Sequence, residues 1–334
     1  MNNDYLWDGS GTPDPDVQRL EALLGRLRSI PPVPQLPETP VRWRSVRYLT
    51  PMLAAAAAII VMIGVAWQST RGSASWEVAS IAGQPRIGST ALAGTGRIAV
   101  GQTLVTDAVS RARMQVSSIG SVTIEPGTRV RLVETRDAHH QLALDRGTLH
   151  AVISAPPGQF VVDTPSARAT DLGCAYMLHV DEDGSGMLSV TSGWVAFEFN
   201  GREAFVPAGA SCRTHPQLGP GTPRYDDARQ EYREALDEFD FGDPARRPDA
   251  LRVILGDRSN ADAVTLWHLI SRVDAADRAA IVNALVDQLP MPAGVTREAV
   301  LRLDRLALDR WWSELGLGDA DWWRKWKAEY PAAR

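Results

Sequence analysis

LSVTSGWVAFEFNGREAFV, residues 188–206, is the stretch on which the fold turns. Apolar and polar residues alternate through most of it, which is the period of a strand with one face on a core. Asn200-Gly201 is the pair that a two-residue type I′ hairpin demands, because both central positions take positive φ. Such a loop sets Phe197 opposite Ala204 and Val195 opposite Val206, on one apolar face.

The same unit recurs on either side, in VTIEPGTRVRL (122–132), LALDRGTLHAV (142–152) and AFVPAGASCRT (204–214). Each copy places two inward residues before a turn at Gly127, Gly147, Gly193 or Gly209. No helical period interrupts residues 76–214, so a mainly β region is expected there, built of short antiparallel or coiling strands. A βαβ fold is excluded, while a solenoid and a sandwich both satisfy the alternation. Asp181, Asp183, Ser185 and Gly186 match the first half of a calcium-binding loop. Position twelve is Ser192 and strands flank the loop, so a plain hairpin turn is expected. His139-His140 reads as a loop ahead of a strand at Gln141–Leu144.

Hydrophobic residues make up 44% of the 334, charged residues 22%, and the net charge is −5, which excludes a wholly disordered chain and argues against direct nucleic-acid binding. Two cysteines allow at most one disulfide and cannot build a four-cysteine zinc site. No fingerprint of a serine hydrolase, zinc protease, P-loop or dinucleotide fold is present. The chain is therefore not expected to be an enzyme, and no catalytic, cofactor-binding or metal-ligating residue is assigned.

Leu49–Trp67, LTPMLAAAAAIIVMIGVAW, is uncharged and long enough for one transmembrane helix. Arg42, Arg44 and Arg47 precede it and only Arg71 follows closely, which places the N-terminus in the cytoplasm and the bulk of the chain outside, in the periplasm. Residues 1–48 hold six arginines and six acids, so the whole net charge falls on the outer part. Within this tail Asp14-Pro15 signals a helix start, and a short amphipathic helix is expected over 16–28 with Val17, Leu20, Leu24 and Leu27 on one stripe. A helix of this length cannot bury that stripe alone, so it needs a partner protein or the inner leaflet. PPVPQLPETP (31–40) is an extended spacer between the helix and the membrane segment.

QFVVDTPSARATDLGCAYMLHV (159–180), with MLSVTSGWVAF (187–197) and FVPAGASC (205–212), resembles the FecR domain family. The matching positions include Phe160, Thr164, Pro165, Leu172, Gly173, Tyr176, Gly193, Val195 and Gly209, with Gly147 in the preceding strand pair; physically they read as turns and core, not chemistry. The chain departs from the pattern at Cys174, where the family usually carries Thr, and at Cys212 just past the last Ala-Gly. Both lie on the expected outer side, where a Cys174–Cys212 disulfide is plausible, the other reading being two buried thiols.

Residues 224–331 read as an all-helical C-terminal domain of four to six short helices, with Asn260 or Asp262, Asp274 and Thr296 as N-caps. Trp311, Trp312, Trp322, Trp323 and Trp326 are expected to pack its last two helices, with a sugar-stacking platform or a membrane contact as alternatives. The resemblance implies a single-pass inner-membrane regulator whose outer β-domain senses an envelope signal and whose tail binds an extracytoplasmic-function sigma factor. The alternative is a non-signalling envelope protein that binds glycan or another protein and uses the tail as an anchor.

Overall fold

The computed structural model describes residues 12–25, 75–257 and 262–317. The chain divides after residue 65 into two units. The first contributes helix α1 (Pro15–Gly25). Asp14 caps it, accepting from Asp16 N–H at 2.9 Å, with Pro15 at the first helical position.

The second unit begins with eighteen strands in chain order among the described residues. They are β1 (Ser75–Ala82), β2 (Arg86–Ile87), β3 (Thr90–Ala91), β4 (Thr95–Ala99), β5 (Thr103–Val105), β6 (Arg111–Val116), β7 (Gly120–Ile124), β8 (Arg129–Arg136) and β9 (His139–Ile153). There follow β10 (Phe160–Asp163), β11 (Arg168–Asp171), β12 (Ala175–Val180), β13 (Gly186–Ser192), β14 (Trp194–Phe199), β15 (Arg202–Pro207), β16 (Ala210–His215), β17 (Gly219–Pro220) and β18 (Arg224–Tyr225).

They form two sheets that share β9. One runs β4-β1-β6-β7-β9-β12-β13-β16, with β17 and β18 on the far edge. The other runs β3-β2-β5-β8-β9-β10-β11-β14-β15. Alternate residues of both, such as Met114, Val122 and Leu178 from the first and Leu132, Phe160 and Val195 from the second, meet in one core. Of the two architectures compatible with the alternation, the fold is the sandwich. His139 and His140 open β9 instead of forming a loop, and His140 is buried against Thr135 Oγ1 at 2.7 Å.

β9 is long enough to serve both sheets because it turns at Gly147. That residue is not at a hairpin turn, as expected, but inside the strand, at φ +90°. A Cβ there would stand 2.5 Å from Thr128 Cα, so only glycine lets the chain cross from one sheet to the other. At Gly193, φ +69°, a Cβ would stand 2.4 Å from Gly173 O; this too is no hairpin turn but the bend at which the chain passes from β13 in the first sheet to β14 in the second.

Cys174 and Cys212 are not joined; both are free and buried. Cys212 lies opposite Leu188 on β13, whereas Cys174 precedes Ala175, which lies opposite Ser192. Four residues of β13, roughly 13 Å, and two strand spacings separate those levels. A disulfide needs its Cα atoms within about 7 Å.

Six α-helices are described after the strands: α2 (Gln230–Phe241), α3 (Arg247–Gly256), α4 (Ala263–Ile270), α5 (Ala275–Gln288), α6 (Arg297–Leu301) and α7 (Arg305–Ser313). The helical pattern expected from Arg224 starts only at Gln230, because Arg224 and Tyr225 add a last strand against Ser211 and Ala210. Asp262, Thr296 and also Asp304 cap their helices through side-chain oxygens, whereas Asp274 sits at the N-cap position of α5 without a side-chain bond. The helices have their own core around Leu236, Leu269, Ile281, Val300 and Trp311.

No helix among the described residues is long and apolar enough to cross a membrane. Leu49–Trp67 lies outside the described residues, as do the arginines flanking it, the 31–40 spacer, Leu27, Asn260, Trp322, Trp323 and Trp326.

Candidate functional site

Two places in the chain offer a surface to another molecule. The first is α1, which has no buried residue. Leu20 and Leu24 are more than half exposed, Val17 is partly covered, and Leu23, which the stripe of the sequence reading omits, is the most exposed at 63%. Leu20, Leu23 and Leu24 stand at i, i+3 and i+4, so they share a face. That spacing was legible in the sequence.

The second lies where the helices meet β14 and β15. The hairpin closes as its turn residues require, with Asn200 at φ 48° and Gly201 at φ 81°, Phe197 opposite Ala204 and Val195 opposite Val206. Those four residues face the sandwich core. The opposite face is also covered: Ala196 and Phe205 pack with Leu172 and Trp312 in a separate cluster, joined by Trp194 and Trp267. The Phe205 and Trp312 rings lie 5.0 Å apart, and the Trp267 and Trp312 rings 4.8 Å. Trp311 and Trp312 thus divide their work, the first packing helix on helix and the second helix on sheet. The sequence signal was the apolar content of both faces of WVAFEF and AFV, which a one-sided strand does not need.

The outer edge of β15 would expose backbone groups if nothing covered it. Phe205 N–H donates to His268 Nε2 on α4 at 2.9 Å, and Arg272 Nη2 donates to Glu203 O at 2.9 Å. His268 accepts there because its Nδ1 donates to Val264 O at 2.7 Å, which sets the tautomer. Burial, helped by the neighbouring Arg272 charge, pushes the His268 pKa down to about 3, so the ring is neutral. Arg272 is itself buried, its pKa drawn down to about 10 by desolvation against the pull of Asp240, and it remains charged at neutral pH. Buried Asp240 accepts from Arg202 Nη2 at 2.5 Å, from Arg272 Nη1 at 3.4 Å and from Thr222 N–H at 2.5 Å.

Beside this edge a cleft of about 570 Å³ opens between the hairpin and the helices. Arg202, Arg272, Phe205 and Trp267 belong to its walls, together with the exposed Arg247 and Arg305. Of the residues singled out from the sequence, the turn pair Asn200-Gly201 lines it, while the α1 stripe, the family-type positions and the cysteines do not.

The family-type positions have structural work instead. Phe160 and Tyr176 fill the core, Thr164 Oγ1 accepts from Ala167 N–H at 2.9 Å and so closes the β10–β11 turn at Pro165, and Leu172 faces Trp312. Asp171, at the end of β11, is buried and binds the Gly173 and Cys174 N–H groups through Oδ1, at 2.7 and 3.2 Å. Its Oδ2 has no partner, and burial raises its pKa to about 6.

Residues 102–196, from the start of β5 into β14, match the FecR protein family. This stretch is similar to a FecR domain. Phe160, Thr164, Pro165, Leu172, Gly173, Tyr176, Gly193 and Val195 all fall inside it, as does Gly147, whereas Gly209 lies beyond its end. The match covers less than a third of the chain and takes in neither α1 nor the helices. No curated protein matches the chain. Among solved structures, two crystal structures of a candidate anti-sigma factor from Parabacteroides distasonis ATCC 8503, at 1.65 and 2.50 Å resolution, are similar at 16% identity and a TM-score of 0.34. They cover 40% of this chain, and the chain spans 63% and 62% of their length.

Proposed function

We propose that this chain is a single-pass FecR-type regulator whose cytoplasmic tail docks an extracytoplasmic-function sigma factor through α1. The observation that carries the reading is the leucine face of a capped helix with no buried residue, on a chain similar to the FecR family over residues 102–196. Three leucines on one face make an apolar surface that a groove on a partner can cover. Arg19, beside that face, gives the contact a polar rim.

In this reading Leu49–Trp67 spans the inner membrane, the basic residues before it hold the N-terminus inside, and the FecR domain with its helices receives a signal outside. The regulator transmits binding and carries out no reaction.

The test uses the full chain expressed in its native bacterium, wild type and Leu20→Asp/Leu24→Asp, with co-purified proteins identified by mass spectrometry and a sigma-dependent promoter read in parallel. Recovery of one sigma factor by wild type alone, with a changed promoter output in the variant, supports the reading. Equal recovery by both chains, or an unchanged promoter, overturns the role of α1.

A further inference from the structure

We propose that the cleft between the β14–β15 hairpin and the helices binds a small ring-bearing carboxylate, with the ring on the aromatic wall and the carboxylate on the rim arginines. This goes beyond the sigma-factor reading and does not depend on it. The cleft, at about 570 Å³, falls in the range of small-molecule sites and holds a ligand of one or two sugar rings.

The charges of the cleft favour an anion. Four arginines line it against three acids, Glu203, Asp240 and Asp309. Asp240 is already matched at the back wall by Arg202 and Arg272, and His268 is neutral, so neither asks for a cation. Arg247 donates Nε to Phe239 O at 3.2 Å and lies over the Phe239 ring, 5.8 Å from its centroid, but like Arg305 it forms no ion pair among the described residues. Two exposed guanidiniums at the mouth of a concave site, in a chain of net charge −5, are a local surplus of forked donors. That geometry suits a carboxylate, which accepts two parallel N–H bonds.

The wall selects what the carboxylate is attached to. Trp267, partly exposed, brings aromatic carbon to the cleft with Phe205 buried behind it, and Leu303 and Leu308 add aliphatic surface. Leu303 holds φ +60°, an uncommon conformation for a side chain of its size, and it does so at this site. An inorganic anion would leave that surface unused.

The experiment is calorimetric titration of the full chain in detergent micelles. The carboxylate probes are D-glucuronate and benzoate; D-glucose and benzyl alcohol are their neutral counterparts, and inorganic phosphate tests for a bare anion site. The expected result is that at least one carboxylate binds at millimolar concentration or better, while its neutral counterpart and phosphate bind about tenfold more weakly or not at all. Arg305→Ala and Arg247→Ala should each weaken it by about tenfold, and Arg305→Lys should recover part of the loss. Both wild-type positions are exposed, and an unchanged thermal midpoint shows that the variants fold. Equal binding of carboxylate and neutral probe, equal binding of phosphate, binding untouched by both alanine variants, or no carboxylate binding overturns the proposal.

Discussion

The backbone N–H of Phe205 donates to the imidazole Nε2 of His268 at 2.9 Å, across 63 positions of sequence, and this buried bond seals the open edge of the second sheet with a helix. Replacing His268 by Ala leaves the Phe205 N–H buried without an acceptor and removes a ring from the aromatic cluster. The expected cost is about 2–4 kcal/mol, from the orphaned donor and the cavity together. Chemical denaturation of the two proteins at neutral pH measures it.

The same residue sets a pH dependence. Its folded pKa, about 3, lies below the ordinary value of 6.5, so the unfolded chain binds the proton first. Stability from this group is complete above about pH 6.5 and is lost as pH falls toward 3, with a slope approaching about 1.4 kcal/mol per pH unit. The difference in stability between wild type and His268→Ala should therefore shrink between pH 6.5 and 4. A difference that stays constant over that range would show that His268 is not held neutral.

Asp171 works in the opposite sense. Its folded pKa of about 6 exceeds the ordinary 3.8, because burial penalises the carboxylate, so the folded state holds the proton longer. Its relative contribution is fully present below pH 3.8 and is lost as pH rises through 6. Asp171→Asn keeps an acceptor for the Gly173 and Cys174 N–H groups and removes the charge. The variant should be more stable than wild type at pH 8, by up to about 3 kcal/mol, with the gap closing toward pH 4.

Gly147→Ala should be among the most damaging small substitutions. The left-handed backbone and a Cβ at 2.5 Å from Thr128 Cα add together, and β9 cannot shift without disturbing both sheets. A loss of about 3 kcal/mol or more is expected, against about 1 kcal/mol for Gly101→Ala, where the space is open and the backbone strain alone remains. Thermal unfolding of the two variants side by side checks the contrast.

Trp312→Ala should loosen the helices from the sheet without unmaking the sandwich core, since Trp312 packs with Leu172, Ala196 and Phe205 outside that core. A cost of about 3–5 kcal/mol is expected from the cavity. Limited proteolysis should cut first after residue 225 in the variant, and protection equal to wild type would contradict this role.

How far the sequence went can be seen residue by residue. Asn200-Gly201 determined the hairpin and its register unaided, because a two-residue loop with two positive φ angles has one pairing. Asp14-Pro15 likewise determined where α1 starts, since capping is decided within three residues. The similarity of residues 102–196 to the FecR family was legible in glycines and alternation, which are local demands of bends and pleats.

Only the tertiary structure decided the rest. Alternation cannot distinguish a solenoid from a sandwich, and it took β9 bending at Gly147 to place one strand in two sheets. It was strand register, not proximity in sequence, that kept Cys174 and Cys212 apart. The cleft is assembled from Arg202, Arg247, Arg272 and Arg305, which come from four separate segments and share no motif. Local rules fix turns, caps and faces; a site built where two layers meet depends on long-range contacts that no short window of sequence contains.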